Sequence, residues 1–243
     1  MLNTRVAPFD DVRVRRALNL AVDRRDVVAL WGGADAAAPT CQILPPNLGG
    51  YRRYCPYSYD LQRARRLVAD SGTKGMRVRV WDTITPKIFH DEGVIVVRAL
   101  RMLGYRGSLK LVPNAAWDRI IGHTARTHAQ VLSGGWGADY PSASEFIQLK
   151  LSCSEFHPER EHNSNPGFCD PAIDRQINRA LALQVSRPTE ANALWARIDH
   201  ELVDRGVWLP LVTPRTTDFV SKRVGNYQFH PLWSVLIDQL WVR

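Results

Sequence analysis

Gly134-Gly135-Trp136-Gly137-Ala138-Asp139-Tyr140-Pro141 follows a short apolar run, Ala129-Gln130-Val131-Leu132-Ser133, which reads as a buried strand. Glycines at 134, 135 and 137 let the backbone leave that strand steeply and let another molecule approach closely. Into this bare turn the chain places an indole, a carboxylate and a phenol. An aromatic ring beside one acid suits a positively charged group, because the ring face and the carboxylate both attract cations. The competing reading is a plain strand-to-helix turn, with Trp136 packed inside and Asp139 or Ser142 capping the next helix.

The rest of the chain weighs these two readings. Its 243 residues suffice for one large domain or two small ones with a real core. Apolar and charged contents of 45% and 23% are ordinary for a globular protein. No apolar run approaches the roughly 20 residues that span a bilayer, and the polar start does not read as a signal peptide. The net charge of +8, from 32 basic and 24 acidic residues, raises the question of nucleic acid. Yet the densest cluster, Arg13, Arg15, Arg16, Arg24 and Arg25, alternates with Asp10, Asp11, Asp23 and Asp26. Such mixed signs predict a solvated helix face and no phosphate track.

Four cysteines allow three full pairings. They fall into two local couples, Cys41 with Cys55 and Cys153 with Cys169, neither with the CxxC spacing of a structural zinc site. Both couples enclose loop-like sequence rich in proline, asparagine and glycine. Two disulfides closing such loops would persist only in an oxidising compartment. An extracytoplasmic protein without an export signal is expected to be a piece of something longer.

Along the chain, Asp10 or Asp11 is expected to cap a first helix, with Val14, Ala17, Leu18, Ala21 and Val22 inward. Asp23 or Asp26 starts a second, short one. Asp60 caps a helix that Gly72 stops. Met76, Val78 and Val80 alternate with arginines as a half-buried strand, a helix covers about 89–103, and 109–112 forms another strand. Such a strand, helix and strand make a βαβ unit with parallel strands. Helices are further expected over about 117–121, 144–151 and 188–205, and Asp170-Pro171 opens one more. Val207 to Val212 reads as an apolar strand and Asp218 to Val220 as a short one. Beyond Gly225 the chain is aromatic and thinly charged.

In their order these pieces resemble the C-terminal half of the family 5 extracellular solute-binding proteins, the peptide- and nickel-binding receptors of ABC importers. The resemblance is carried by Val12-Arg13, Arg16-Ala17-Leu18-Asn19, Ala21, Asp23 and Arg24. Also matching are Tyr59-Asp60 with Ala64 and Leu67, then Trp136, Ala138-Asp139-Tyr140-Pro141, and Asp170-Pro171 with Asp174. The stretch from Leu151-Ser152-Cys153 to Phe168-Cys169 is similar to the disulfide loop of bacterial dipeptide-binding proteins.

That resemblance implies an α/β lobe of type II (class C) periplasmic-binding-protein architecture, a mixed sheet with helices on both faces. Residues 1–213 would form the second lobe of a two-lobe receptor, and 214–243 a tail that crosses back to complete the absent first lobe. The lobes would close on a ligand by hinge motion. The implied occupant is a peptide or another small cationic solute, its ammonium on Asp139, with Trp136, Tyr140, Gly135 and Trp81 lining the pocket. The implied partners are ABC permease subunits and the upstream lobe. The implied location is the periplasm, or the cell surface as a lipoprotein. Dipeptide binders carry an arginine between the first strand and its helix to hold the peptide C-terminus. The matching segment, Trp81-Asp82-Thr83-Ile84-Thr85-Pro86-Lys87, has none; Lys87 would substitute as a point charge only.

Catalytic motifs are poorly represented. His157-Pro158-Glu159-Arg160-Glu161-His162 lacks HExxH spacing, and its proline breaks a helix. Ser133-Gly134-Gly135 is not a hydrolase elbow. No metal, cofactor or turnover is expected. A second function class is a ligand sensor of the same fold fused to a regulatory domain; the upstream segment would distinguish it from an importer receptor.

Overall fold

The computed structural model describes residues 1–159, 167–230 and 233–243, with backbone alone at 120–122; His162, Glu161 and Arg160 lie outside the described residues. Aspartates begin the helices, as a carboxylate that accepts the unpaired N–H groups of a first turn should. Asp11 caps α1 (Val12–Ala21), accepting from the Arg13 N–H at 2.7 Å. Asp23 caps α2 (Arg24–Leu30). After β1 (Ala37–Pro39), Asp60 caps α3 (Leu61–Ser71). Then come β2 (Arg77–Thr83), α4 (Lys87–Met102), β3 (Arg106–Val112), α5 (Asn114–Gly122), α6 (Thr124–Thr127) and β4 (Val131–Leu132). α7 (Ser144–Leu151) is followed by α8 (Pro171–Leu183), capped by Asp170, and by α9 (Pro188–Asp204). Among the described residues five short strands end the chain: β5 (Val212–Pro214), β6 (Val224–Gly225), β7 (Phe229–His230), β8 (Ser234–Val235) and β9 (Trp241–Val242).

The central sheet has the order β3-β2-β4, with β2 parallel to both neighbours. Leu2 bridges the outer edge of β4 antiparallel, so the sheet is mixed. α4 packs across β2 and β3 as the crossover of the expected βαβ unit. Val78 and Val80 point into the core while Arg77 and Arg79 stay exposed; near its end β2 is buried on both faces, at Trp81 and Asp82.

Two clusters make most of the core. One gathers Leu18 of α1, Ala64 of α3, Val80 of β2 and Leu100 of α4. The other joins Ile147 of α7, Ile173 and Ile177 of α8, and Trp195, Ile198 and Leu202 of α9. Each buried large apolar side chain contributes about 1.5–3 kcal/mol. Both local cysteine couples are bonded, Cys41 to Cys55 and Cys153 to Cys169, with Cα atoms 5.4 and 4.6 Å apart. Among the described residues no helix is long and apolar enough to cross a membrane.

Three expectations are corrected. Arg15 and Arg24 are not part of a solvated face: both are buried. Arg15 donates to the carbonyls of Phe9 at 2.7 Å and Arg205 at 2.9 Å. Arg24 donates to those of Thr40 at 2.7 Å, Pro210 at 2.9 Å and Asn19 at 3.0 Å. Desolvation lowers each guanidinium to about 10, still far above neutral. Second, residues 207–211 form no strand. Pro210 has no N–H to give a ladder, and the carbonyls of Trp208 and Pro210 are taken by the side chains of Asn19 and Arg24. Only from Val212 does the chain pair, antiparallel, with β1. Third, Asp218 to Val220 is not a strand; Phe219 there is 99% exposed.

The last stretch packs little of its apolar surface. β6 pairs with β9 and β7 with β8, yet Trp233, Ile237 and Trp241 remain exposed.

Candidate functional site

In an open parallel sheet, ligands bind outside the carboxyl ends of the strands where the strand order reverses. Here β3 lies on one side of β2 and β4 on the other, so the reversal falls between β2 and β4. The loops leaving those two strands are 84–86 and 133–143. Ser133 still donates to the Trp81 carbonyl at 2.9 Å, and Ile84 to that of Val112 at 3.2 Å, so the sheet carries both loops to its rim. Gly135 is where the second loop meets α4. A Cβ there would lie 3.3 Å from Cζ of Phe89 on α4, so a bare backbone is what lets the loop pack on that ring.

The 136–142 loop is then fastened to the start of α7. The Trp136 indole N–H donates to the Glu145 carbonyl at 3.0 Å. The Asp139 main-chain N–H donates to the Glu145 carboxylate at 3.1 Å. Tyr140 and Ser144 share a hydroxyl contact at 3.3 Å, and Ser142 Oγ accepts from the Ser144 N–H at 3.3 Å. Glu145 itself is buried in the first turn of α7, where a negative charge is favoured.

Asp139 is thereby held through its backbone, while its side chain stays exposed. Among the described residues its carboxylate has neither hydrogen bond nor ion pair. Trp136 is 38% exposed and Tyr140 is exposed beside it. The indole is not an open seat, however. The Lys150 ammonium of α7 sits 3.4 Å from its ring centroid, so one face already carries a cation of the chain itself. Desolvation lowers Lys150 to about 8, partly offset by the charges of Glu145, Asp118, Glu155 and Asp139.

The other expected residues are a buried indole and an ion-paired lysine. Trp81 is only 6% exposed, packed with Val112, Ala129 and Leu132, with Lys110 4.0 Å above its ring. Lys87 is exposed at the start of α4 and pairs with Asp91, one turn on. Asp82 is fully buried beneath α4: its Oδ1 accepts from the Thr83 N–H at 2.7 Å, and among the described residues its Oδ2 has no hydrogen-bond partner. Burial pushes its carboxyl above the usual range. Among the described residues no group of three or more His, Cys, Asp or Glu is arranged to hold a metal.

Lys150 and Glu145 were not anticipated. Their signal was present: Lys150 stands three residues after Ile147 and one before Leu151, on the helical stripe that should be apolar.

This architecture is that of the type II periplasmic binding proteins. Over 99% of the chain it superposes on the clavulanic acid biosynthesis oligopeptide binding protein 2, with a TM-score of 0.86 and 23% identity, covering 45% of that structure. A dipeptide binding protein from Pseudoalteromonas, solved with Met-Leu, gives 0.82 at 20% identity, over 100% of this chain and 47% of that one. The profile of the bacterial extracellular solute-binding proteins, family 5 (middle), matches residues 1–158, and the chain belongs to that family. It is 27% identical over 236 residues to a probable di/tripeptide-binding protein of Pseudomonas aeruginosa, covering 95% of this chain and 43% of that protein. It is 26% identical over 251 residues to the periplasmic oligopeptide-binding protein of Salmonella typhimurium, covering 99% and 44%. The chain thus spans somewhat less than half the length of these relatives.

Proposed function

We propose that this chain is the second lobe of an extracytoplasmic receptor that grips an amine-bearing solute, most simply a peptide, and hands it unchanged to an ABC permease. The observation that carries this reading is the Asp139 carboxylate: exposed, unpartnered among the described residues, and fixed by its backbone at the sheet's reversal point. A carboxylate so placed meets an ammonium without first breaking a bond of its own. No turnover is required of such a site.

A cleft has two walls, and residues 1–213 form one of them in this proposal. The exposed aromatics of 214–243 fit a segment that completes an upstream lobe. The two disulfides fit an oxidising location, in the periplasm or on a cell-surface lipoprotein.

Calorimetry with short peptides, on chain 1–243 and on the protein with its upstream lobe, tests the reading. The single lobe is expected to bind weakly or not at all and the two-lobed protein tightly. Asp139→Asn should weaken the two-lobed protein about tenfold or more with no change in melting. Unchanged affinity would remove Asp139 from the site, and tight binding by 1–243 alone would contradict the two-wall account.

A further inference from the structure

Lys150 has an uncommon environment for a lysine. The residue is 8% exposed, and its ammonium lies on the Trp136 ring. Among the described residues no carboxylate comes within ion-pair distance of it. Glu145, on the same helix, is turned to the Asp139 N–H. A buried cation is ordinarily paired with an anion; here an aromatic face stands in for one. Burial leaves the group at about 8, so it is still mostly charged at neutral pH. The Trp136 ring over it is partly exposed, and its own hydrogen bond runs to the Glu145 carbonyl. The turn therefore offers two charges of opposite sign, a carboxylate at Asp139 and a cation at Lys150; among the described residues neither has an ion-pair contact, although Glu145, Asp118, Glu155 and Asp139 act on the lysine through space.

We propose that Lys150 makes the site selective for solutes whose amine-bearing end also carries a carboxylate, as in a peptide with an acidic first residue. This rests on the reading that Asp139 receives the amine. The ligand's ammonium meets Asp139, and its neighbouring carboxylate displaces the indole edge and pairs with Lys150. Closure of the site excludes water and strengthens both pairs. A solute with an amine but no adjacent carboxylate leaves Lys150 without a contacting anion and adds a second positive charge to the site, so it is discriminated against by repulsion as well as by a missing contact.

Calorimetry of the two-lobed protein with Glu-Ala-Ala and Gln-Ala-Ala tests this. The expected result is about tenfold tighter binding of the glutamate peptide. Lys150→Met, unbranched and able to keep packing on the indole, should bring the ratio to about one, while Lys150→Arg keeps the preference. Equal affinities in the unmodified protein, or a preference that survives Lys150→Met, overturn the proposal; the first result stands even if the variants fold poorly. If both peptides bind equally and Asp139→Asn weakens both, only this inference falls. If neither binds to folded protein, the amine-binding reading falls and takes this one with it.

Discussion

The buried carboxylate of Asp199 on α9 accepts the side-chain amide of Gln42 at 2.7 Å, joining α9 to the chain that follows the Cys41 disulfide. The same carboxylate accepts the main-chain N–H of Ile43 at 3.1 Å and of Leu44 at 3.4 Å. Gln42 in turn reaches the Arg52 carbonyl at 2.9 Å and accepts the Tyr54 N–H at 2.6 Å. One acid thus organises a loop that has no regular structure of its own. Asp199→Ala strands these donors without solvent, and an unfolding titration should show a loss of about 3 kcal/mol or more. Asp199→Asn, which keeps one acceptor oxygen, should lose less.

Arg24 performs a similar task from the first turn of α2, holding the carbonyls of Asn19, Thr40 and Pro210. Arg24→Met keeps much of the apolar stem but leaves these acceptors unsatisfied, at an expected cost of about 3 kcal/mol. Arg24→Lys should recover only part of this, because a compact ammonium cannot reach in the directions that a planar guanidinium spans. Recovery of full stability by lysine, in a denaturant titration, would contradict the geometry.

A pH prediction follows from Glu92 on α4, which accepts the Trp31 indole N–H at 2.5 Å. Burial, with a smaller push from Asp82, raises its carboxyl to about 7 from the ordinary 4.5. The folded state therefore holds a proton that the unfolded chain releases between those values. This contribution is fully present below pH 4.5 and is lost as pH rises towards 7, a change of about 3 kcal/mol at most. Glu92→Gln keeps an acceptor for Trp31 and removes the proton. The stability difference between variant and parent should then shift in favour of the variant as pH rises from about 4.5 to 7. Parallel curves in thermal melts across that range would show that Glu92 does not titrate this way.

Features set by neighbouring residues were legible in the chain. Asp60 and Asp170 cap the helices expected of them, and of the pairs Asp10 or Asp11 and Asp23 or Asp26 it is Asp11 and Asp23 that cap, because a cap is made within three residues. α7 has the expected bounds, Ser144 to Leu151, and α9 ends within one residue of expectation. What failed depended on partners far along the chain. The alternating charges around Arg15 and Arg24 predict a wet face, and nothing local says that distant carbonyls will surround both guanidinium groups. The 207–211 run has strand composition, but its carbonyls are taken by Asn19 and Arg24. At the candidate site, the glycines of 134–137 marked a turn leaving a strand, and the chain does leave β4 there. The cation on Trp136 was not read, although Lys150 on an apolar stripe signalled it.

Asp139 is anchored by its main-chain N–H, a group that every residue but proline possesses. The frame of the turn is thus indifferent to the side chain it presents, and what is displayed at that position is interchangeable. Charge can be reversed or removed there without rebuilding the neighbourhood. A turn made this way is open to reprogramming one residue at a time, whether by natural drift or in a directed-evolution library.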